Sequence, residues 1–190
     1  FTREHLASEA GAVLLAFYDK APVFTPGEGR YDESALICKR DAFTMAWECE
    51  GMDPVYAEAG LRWKMLRHNA DNKDTTMLIY VPAHLHPQDW KGPQERHDCI
   101  EEMFLISGDF LSNVGLMCEG AYFWRPPGIA HGPYGTRSGN LTLIRTLGHD
   151  LVNNWTEHEV SISREPAYRP FLPESLAALG ERPWRRPPRF

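Results

Sequence analysis

Short alternating or apolar runs, each cut off by Gly, Pro, Asp or Asn, recur along this chain and constrain its fold more than any other feature. The runs are Ala12 to Tyr18, Thr75 to Pro82, Glu102 to Ser107, Ala121 to Trp124 and Leu141 to Leu147. A two-residue period puts alternate side chains on opposite faces of a strand, and turn residues at such close intervals leave little room for helices. The pattern predicts an all-β, antiparallel protein with few short helices. One turn is expected over Pro54 to Gly60, and a short helix over Glu174 to Leu179, after Pro173 and before Gly180.

A chain of 190 residues can bury a substantial core, so one domain with appendages is expected. Residues 61–160 carry the densest strand pattern and are read as the barrel, with 21–60 as a connecting segment and first strands. Residues 1–20 read as a strand of an earlier barrel or an N-terminal extension, because Phe1-Thr-Arg and the run ending at Phe17 echo Tyr134-Gly-Thr-Arg and the run ending at Arg145. Residues 161–190 turn rich in Pro and Arg. They are expected either to wrap this domain or a neighbouring subunit through Trp184 and Phe190, or to form a disordered end.

The net charge of −6 works against nucleic-acid or acidic-membrane partners, which leaves a small-molecule substrate as the expectation. No apolar run approaches a membrane span and no basic-then-apolar leader is present; the chain begins with Phe1 rather than Met, which leaves an already removed leader open. Cys38, Cys49, Cys99 and Cys118 form no CxxC pair. This argues against a zinc ribbon or redox motif and fits reduced thiols in the cytoplasm, with disulfides left open.

The chemistry concentrates in two segments. The first holds Glu95, His97, Glu101 and Glu102; the second runs from Gly120 through Pro126-Pro-Gly128 to His131. Imidazole nitrogen and carboxylate oxygen suit borderline divalent metals, and catalytic sites leave positions open for water or substrate. In an extended strand Glu95, His97, Cys99 and Glu101 share a face, and the Pro-Pro-Gly turn can deliver His131 rigidly. Glu95, His97, Glu101 and His131 are thus the candidate metal ligands. Glu95 either binds the metal or supports a ligating imidazole, a role equally open to Glu102. Tyr134 and Glu102 are the candidate catalytic residues, Tyr134 as a proton donor, against turn packing.

Other residues carry structural readings. Cys99 reads as a small buried filler rather than a contact to substrate or metal, and Arg145 as a structural ion-pair partner of Glu101 or Glu102 rather than of a substrate carboxylate. Tyr122 and Trp124 alternate with Phe123 and Arg125, so one pair faces inward. His84-Leu85-His86, upstream of a loop expected over Pro87 to Gln94, reads as exposed or at a rim.

The order Glu95-x-His97, three residues, Glu101, six residues, Gly108, and then Gly120, five residues, Pro126-x-Gly128, two residues, His131, resembles the two motifs of the cupin superfamily. Glu95 departs from that pattern, in which histidine stands first. The likeness covers roughly residues 75 to 147, and the wording of Glu101 to Gly108 and Tyr122 to Gly128 is similar to the anti-sigma-factor, ChrR-like cupins. It implies a double-stranded β-helix, the jelly-roll barrel, holding one divalent ion: Fe2+ first, with Zn2+ or Mn2+ as alternatives. It further implies a non-haem iron dioxygenase-type oxidoreductase, with redox-neutral lyase, isomerase or cyclase chemistry, or a non-catalytic sensor module, as alternatives. A homo-oligomer, a dimer in the simplest case, is expected from the same resemblance.

Overall fold

The computed structural model describes residues 40–165 continuously, together with residues 8, 9, 12, 14–18, 20–23, 34 and 37. The N-terminal echo rests largely on residues outside this set. The helix over Glu174 to Leu179 and the tail beyond Glu165 lie wholly outside it.

The described chain is built almost entirely from antiparallel strands. In order they are α1 (Pro54–Glu58), β1 (Arg62–His68), β2 (Thr75–Val81), β3 (Lys91–Arg96), β4 (Ile100–Ser112), β5 (Gly115–Cys118), β6 (Tyr122–Arg125), β7 (Asn140–Leu147) and β8 (Asn154–Ser161). One sheet runs β1-β2-β7-β4-β5, with β6 also paired to β4; a second sheet pairs β3 with β8. The fold is all-β and antiparallel, as the strand rhythm predicts, and it is the jelly roll that the resemblance to cupins implies.

The period of two decides what lies inside. Along β2, Thr75, Met77 and Ile79 are buried while the intervening residues are less so, and β7 repeats the alternation with Thr142, Ile144 and Thr146. Met77, Ile79, Met103, Leu105, Met117 and Ile144 form the apolar core. Buried hydroxyls among them are paired, as in the 2.6 Å contact between Thr75 Oγ1 and Thr146 Oγ1, so they add no unsatisfied polar atom.

Two local features keep β4 and its neighbours in register. Gly108 has φ +86°, and a Cβ there would sit 2.0 Å from the carbonyl oxygen of Gly139, so only glycine permits β4 to cross that turn. Asp109 then accepts hydrogen bonds from Thr136 Oγ1 (2.7 Å), Arg137 N (2.8 Å) and Arg137 Nε (2.5 Å), tying β4 to the segment that follows His131.

Two expectations need correction. Residues 91–94, read as the end of a loop, begin strand β3; the chain there is Lys-Gly-Pro-Gln, and its buried positions are Gly92 and Gln94, so no apolar alternation betrays it. Pro93 is tolerated because the β3–β8 ladder shifts register between Pro93 and Glu95. The described residues of Ala12 to Tyr18 carry no strand. Phe17 instead lies against Arg145, whose guanidinium is 4.1 Å from the ring centroid. Among the described residues, no helix is long and apolar enough to cross a membrane.

Candidate metal centre

The sheets meet around a cavity of about 280 Å³ that receives side chains from β2, β4 and β7 on one side and β3 and β8 on the other. Its walls are mostly aliphatic and aromatic, among them Trp63, Ile79, Phe110, Phe123 and Trp155. Polar side chains gather at Glu95, His97, Glu101, His131 and Tyr134.

Backbone pairing brings the two motifs together. Glu95 and His131 exchange both main-chain hydrogen bonds (2.9 and 3.0 Å), and Gly128 N donates to His97 O at 2.8 Å, with Gly128 at φ +80°. The Pro-Pro-Gly turn thereby folds back onto the end of β3. Glu95, His97 and His131 are each at most 5% exposed, and one ligand atom from each lies within 4.8 Å of the others.

Hydrogen bonds assign the ring tautomers. His97 Nδ1 lies 3.1 Å from the carbonyl oxygen of Val152, and His131 Nδ1 lies 2.7 Å from that of Ile129. A carbonyl only accepts, so each neutral ring carries its proton on Nδ1 and turns a bare lone pair outward from Nε2. Those two Nε2 atoms are 3.1 Å apart. Glu95 Oε1 completes the cluster at 3.5 Å from His131 Nε2 and 3.8 Å from His97 Nε2, and Glu95 Oε2 is buried with no hydrogen-bond partner. Two lone pairs and a carboxylate converging in a buried space repel unless a cation sits among them. The donor set fits a divalent metal.

Glu101 stands differently. Its Oε2 lies 3.6 Å from His131 Nε2 but also accepts from Arg125 Nη1 at 3.0 Å. Arg125 donates from the same nitrogen to the Tyr134 hydroxyl at 3.0 Å. Burial opposes the charge of Arg125, yet Tyr134 and Glu101 together hold its pKa above the ordinary value. Burial drives the Tyr134 phenol well up. Arg125 pulls it back, while Glu95 and Glu101 push it further, so it keeps its proton at neutral pH.

The structure does not bring Glu102 to this cluster. Alternation along β4 turns Glu101 inward and Glu102 outward, where it pairs with Arg145 and accepts from the Tyr122 hydroxyl at 3.1 Å. The same alternation settles β6: Phe123 lines the cavity and Arg125 turns inward to Glu101 and Tyr134, while Tyr122 and Trp124 are about half exposed. Cys99 is buried, and burial, then Glu101, pushes its thiol up to about 11, so it is an inert filler. Among the described residues, Cys49, Cys99 and Cys118 are free thiols.

Sequence reasoning missed two residues. Arg125 was visible only as one member of an alternating pair, yet its register partner on β4 is Glu101, which its charge neutralises. Tyr56 gave no signal. Helix α1, N-capped by Asp53, carries it into the cavity, where it packs on Trp155 (5.6 Å between centroids) while Asp53 Oδ2 accepts from Trp155 Nε1 at 3.0 Å. Burial, then the neighbouring Glu95 carboxylate, raises its phenol well above the ordinary value.

The model of the ChrR cupin-like domain matches residues 44–149, more than half of the chain. This chain belongs to that cupin family. No curated protein sequence matches it. Among solved structures, this cupin is similar to an RmlC-like cupin from Shewanella frigidimarina, at 18% identity over 57% of this chain and 88% of that one, with a TM-score of 0.45. It is also similar to an acetylacetone dioxygenase from Acinetobacter johnsonii, at 14% identity over 70% and 91% of the chains, with a TM-score of 0.45. The anti-sigma ChrR in complex with SigE from Rhodobacter sphaeroides is a third, at 18% identity over 56% and 52%, with a TM-score of 0.41.

Proposed function

We propose that this cupin is a metal-dependent enzyme acting on a small, largely apolar organic molecule, and that its chemistry is of the non-haem iron dioxygenase type. The observation that carries this reading is the two-histidine, one-carboxylate donor set, with both bare Nε2 atoms and Glu95 Oε1 facing one point. Three protein donors leave positions open for substrate and oxygen, the pattern associated with iron(II) oxygenases. Zinc or manganese fits the same donors. Glu101 is read as a second carboxylate held back by Arg125 rather than a full ligand.

When bound, the ion would supply Lewis acidity to a substrate oxygen and, as iron(II), reactivity towards O2. The chain's own residues would do the rest. Val152 and Ile129 carbonyls fix the two imidazoles through Nδ1–H, which sets their direction and raises their basicity. Arg125 donates to the Tyr134 oxygen, which leaves the phenol proton free to point into the cavity. A protonated Tyr134 would hydrogen-bond a substrate oxygen and hold a proton for it. The apolar walls would exclude water and orient the rest of the molecule.

A non-catalytic, ligand- or metal-responsive module is the second reading, and the family's description as ChrR-like is what favours it. Elemental analysis of anaerobically purified protein, joined to oxygen uptake on a panel of phenolic and β-dicarbonyl compounds, separates the readings. Iron with oxygen consumption supports the dioxygenase. Zinc or manganese with turnover but no oxygen uptake moves the assignment to lyase, isomerase or cyclase chemistry. Metal with no turnover at all moves it to the sensor.

A further inference from the structure

His84, His86 and Trp90 line the same cavity as Glu95, His97 and His131 but belong to no metal cluster among the described residues. Their arrangement is built rather than incidental. His84 exchanges both main-chain hydrogen bonds with Thr136 (2.9 and 2.8 Å), which fixes the loop beside the segment carrying His131 and Tyr134. The His86 ring lies flat on the Trp90 indole, 3.6 Å between centroids and 7° between planes, and His84 meets His86 edge-on at 4.6 Å. Trp90 in turn occupies the space over Gly92, where a Cβ would come within 2.1 Å of the indole. That glycine has an ordinary φ, so its lack of a side chain serves the indole's position rather than a turn. Burial, then His84, lowers the His86 pKa below its usual value, so the stacked imidazole is neutral and presents a flat, uncharged ring.

We infer that His84, His86 and Trp90 form a substrate-recognition wall, and that the substrate is a planar aromatic molecule whose ring packs along this wall while adjacent oxygen atoms reach the metal position. This rests on the proposed metal chemistry of the same site. Flat faces at a cavity wall favour offset or edge-on aromatic rings over aliphatic chains of equal area, and the remaining walls, with Phe110, Phe123 and Trp155, are mostly apolar, the Asp53 carboxylate among them being engaged by the Trp155 indole N–H.

Two chelators test the wall separately from the metal: 2,3-dihydroxynaphthalene, which has vicinal oxygens on fused rings, and acetohydroxamate, which chelates through two oxygens without a ring. Calorimetric titration of iron(II)-loaded protein under anaerobic conditions should show Trp90→Leu weakening dihydroxynaphthalene roughly tenfold, with acetohydroxamate changed less than twofold and iron content unchanged. Trp90→Phe should restore most of the loss, and His86→Leu should reproduce part of it. Equal weakening of both probes, or of neither, overturns the wall. If neither probe distinguishes loaded from metal-free wild type, the metal reading fails. The wall then stands if metal-free protein still binds dihydroxynaphthalene and Trp90→Leu removes that binding, and falls if it does not.

Discussion

Glu95-x-His97 and His84-x-His86 have the same spacing and opposite placements, and only the second spells two histidines. Glu95 and His97 are each 4% exposed, at the end of a strand stitched by two main-chain hydrogen bonds to His131. His84 is exposed and follows the end of β2, where Pro82 stops the strand and the chain pairs with Thr136 instead. Both pairs reach the cavity. The difference teaches that a converging donor cluster is made by strand pairing and by what holds each second ring nitrogen, not by the identity of the residue two places away. His97 and His131 have carbonyls on Nδ1 and bare Nε2 atoms facing each other; His86 has an indole on its face.

The largest effect that sharpens this contrast is expected at Glu95. Glu95→Ala removes one of three converging donors and should weaken metal affinity by about 100-fold or more, measured by competition with a chromophoric chelator. Retained affinity would assign the third donor to Glu101 instead. Next comes Arg125→Met, which leaves Glu101 buried without its counter-charge. It should cost about 3 kcal/mol in urea unfolding of the metal-free protein. Restoring stability with Arg125→Met plus Glu101→Gln would show that the cost is the stranded charge.

Asp109→Asn loosens the segment beyond His131 and should cost about 2 kcal/mol at neutral pH. Burial alone would raise the Asp109 carboxyl, but hydrogen bonds from Arg137, Thr136 and the backbone hold it at about 2. Because the folded value lies below the unfolded one, this stabilisation is complete above about pH 4 and fades as pH falls towards 2. The gap between wild type and Asp109→Asn should narrow over that window and stay constant above it. The smallest effect is expected from His84→Ala, whose side chain is exposed: a change within about 0.5 kcal/mol in unfolding.

Much of the fold was legible because its inner face is apolar. Thr75 to Pro82, Ala121 to Trp124 and Leu141 to Leu147 each fall within a residue or so of β2, β6 and β7. Strands β3 and β8 were not legible, for physical reasons: the buried positions of β3 are Gly92, Gln94 and Glu95, where an ordinary strand would show Val or Ile, and β8 has no buried residue to set up an apolar alternation. The same cause makes the site partly readable. Motif spacing brings out Glu95, His97 and His131, yet it cannot tell Glu101 as a ligand from Glu101 as the partner of Arg125, because that depends on the cross-strand register of β4 and β6. Glu102 was misplaced by one residue of strand alternation, and Tyr56 comes from a short helix outside the strand pattern.

Metal stoichiometry by elemental analysis, on wild type, His97→Ala and the His84→Ala/His86→Ala double variant purified side by side, tests the central claim most directly. The predicted result is close to one divalent ion per chain in wild type and in the double variant, and almost none in His97→Ala. Metal that survives in His97→Ala but is lost from the double variant would contradict it and move the centre to the upstream pair.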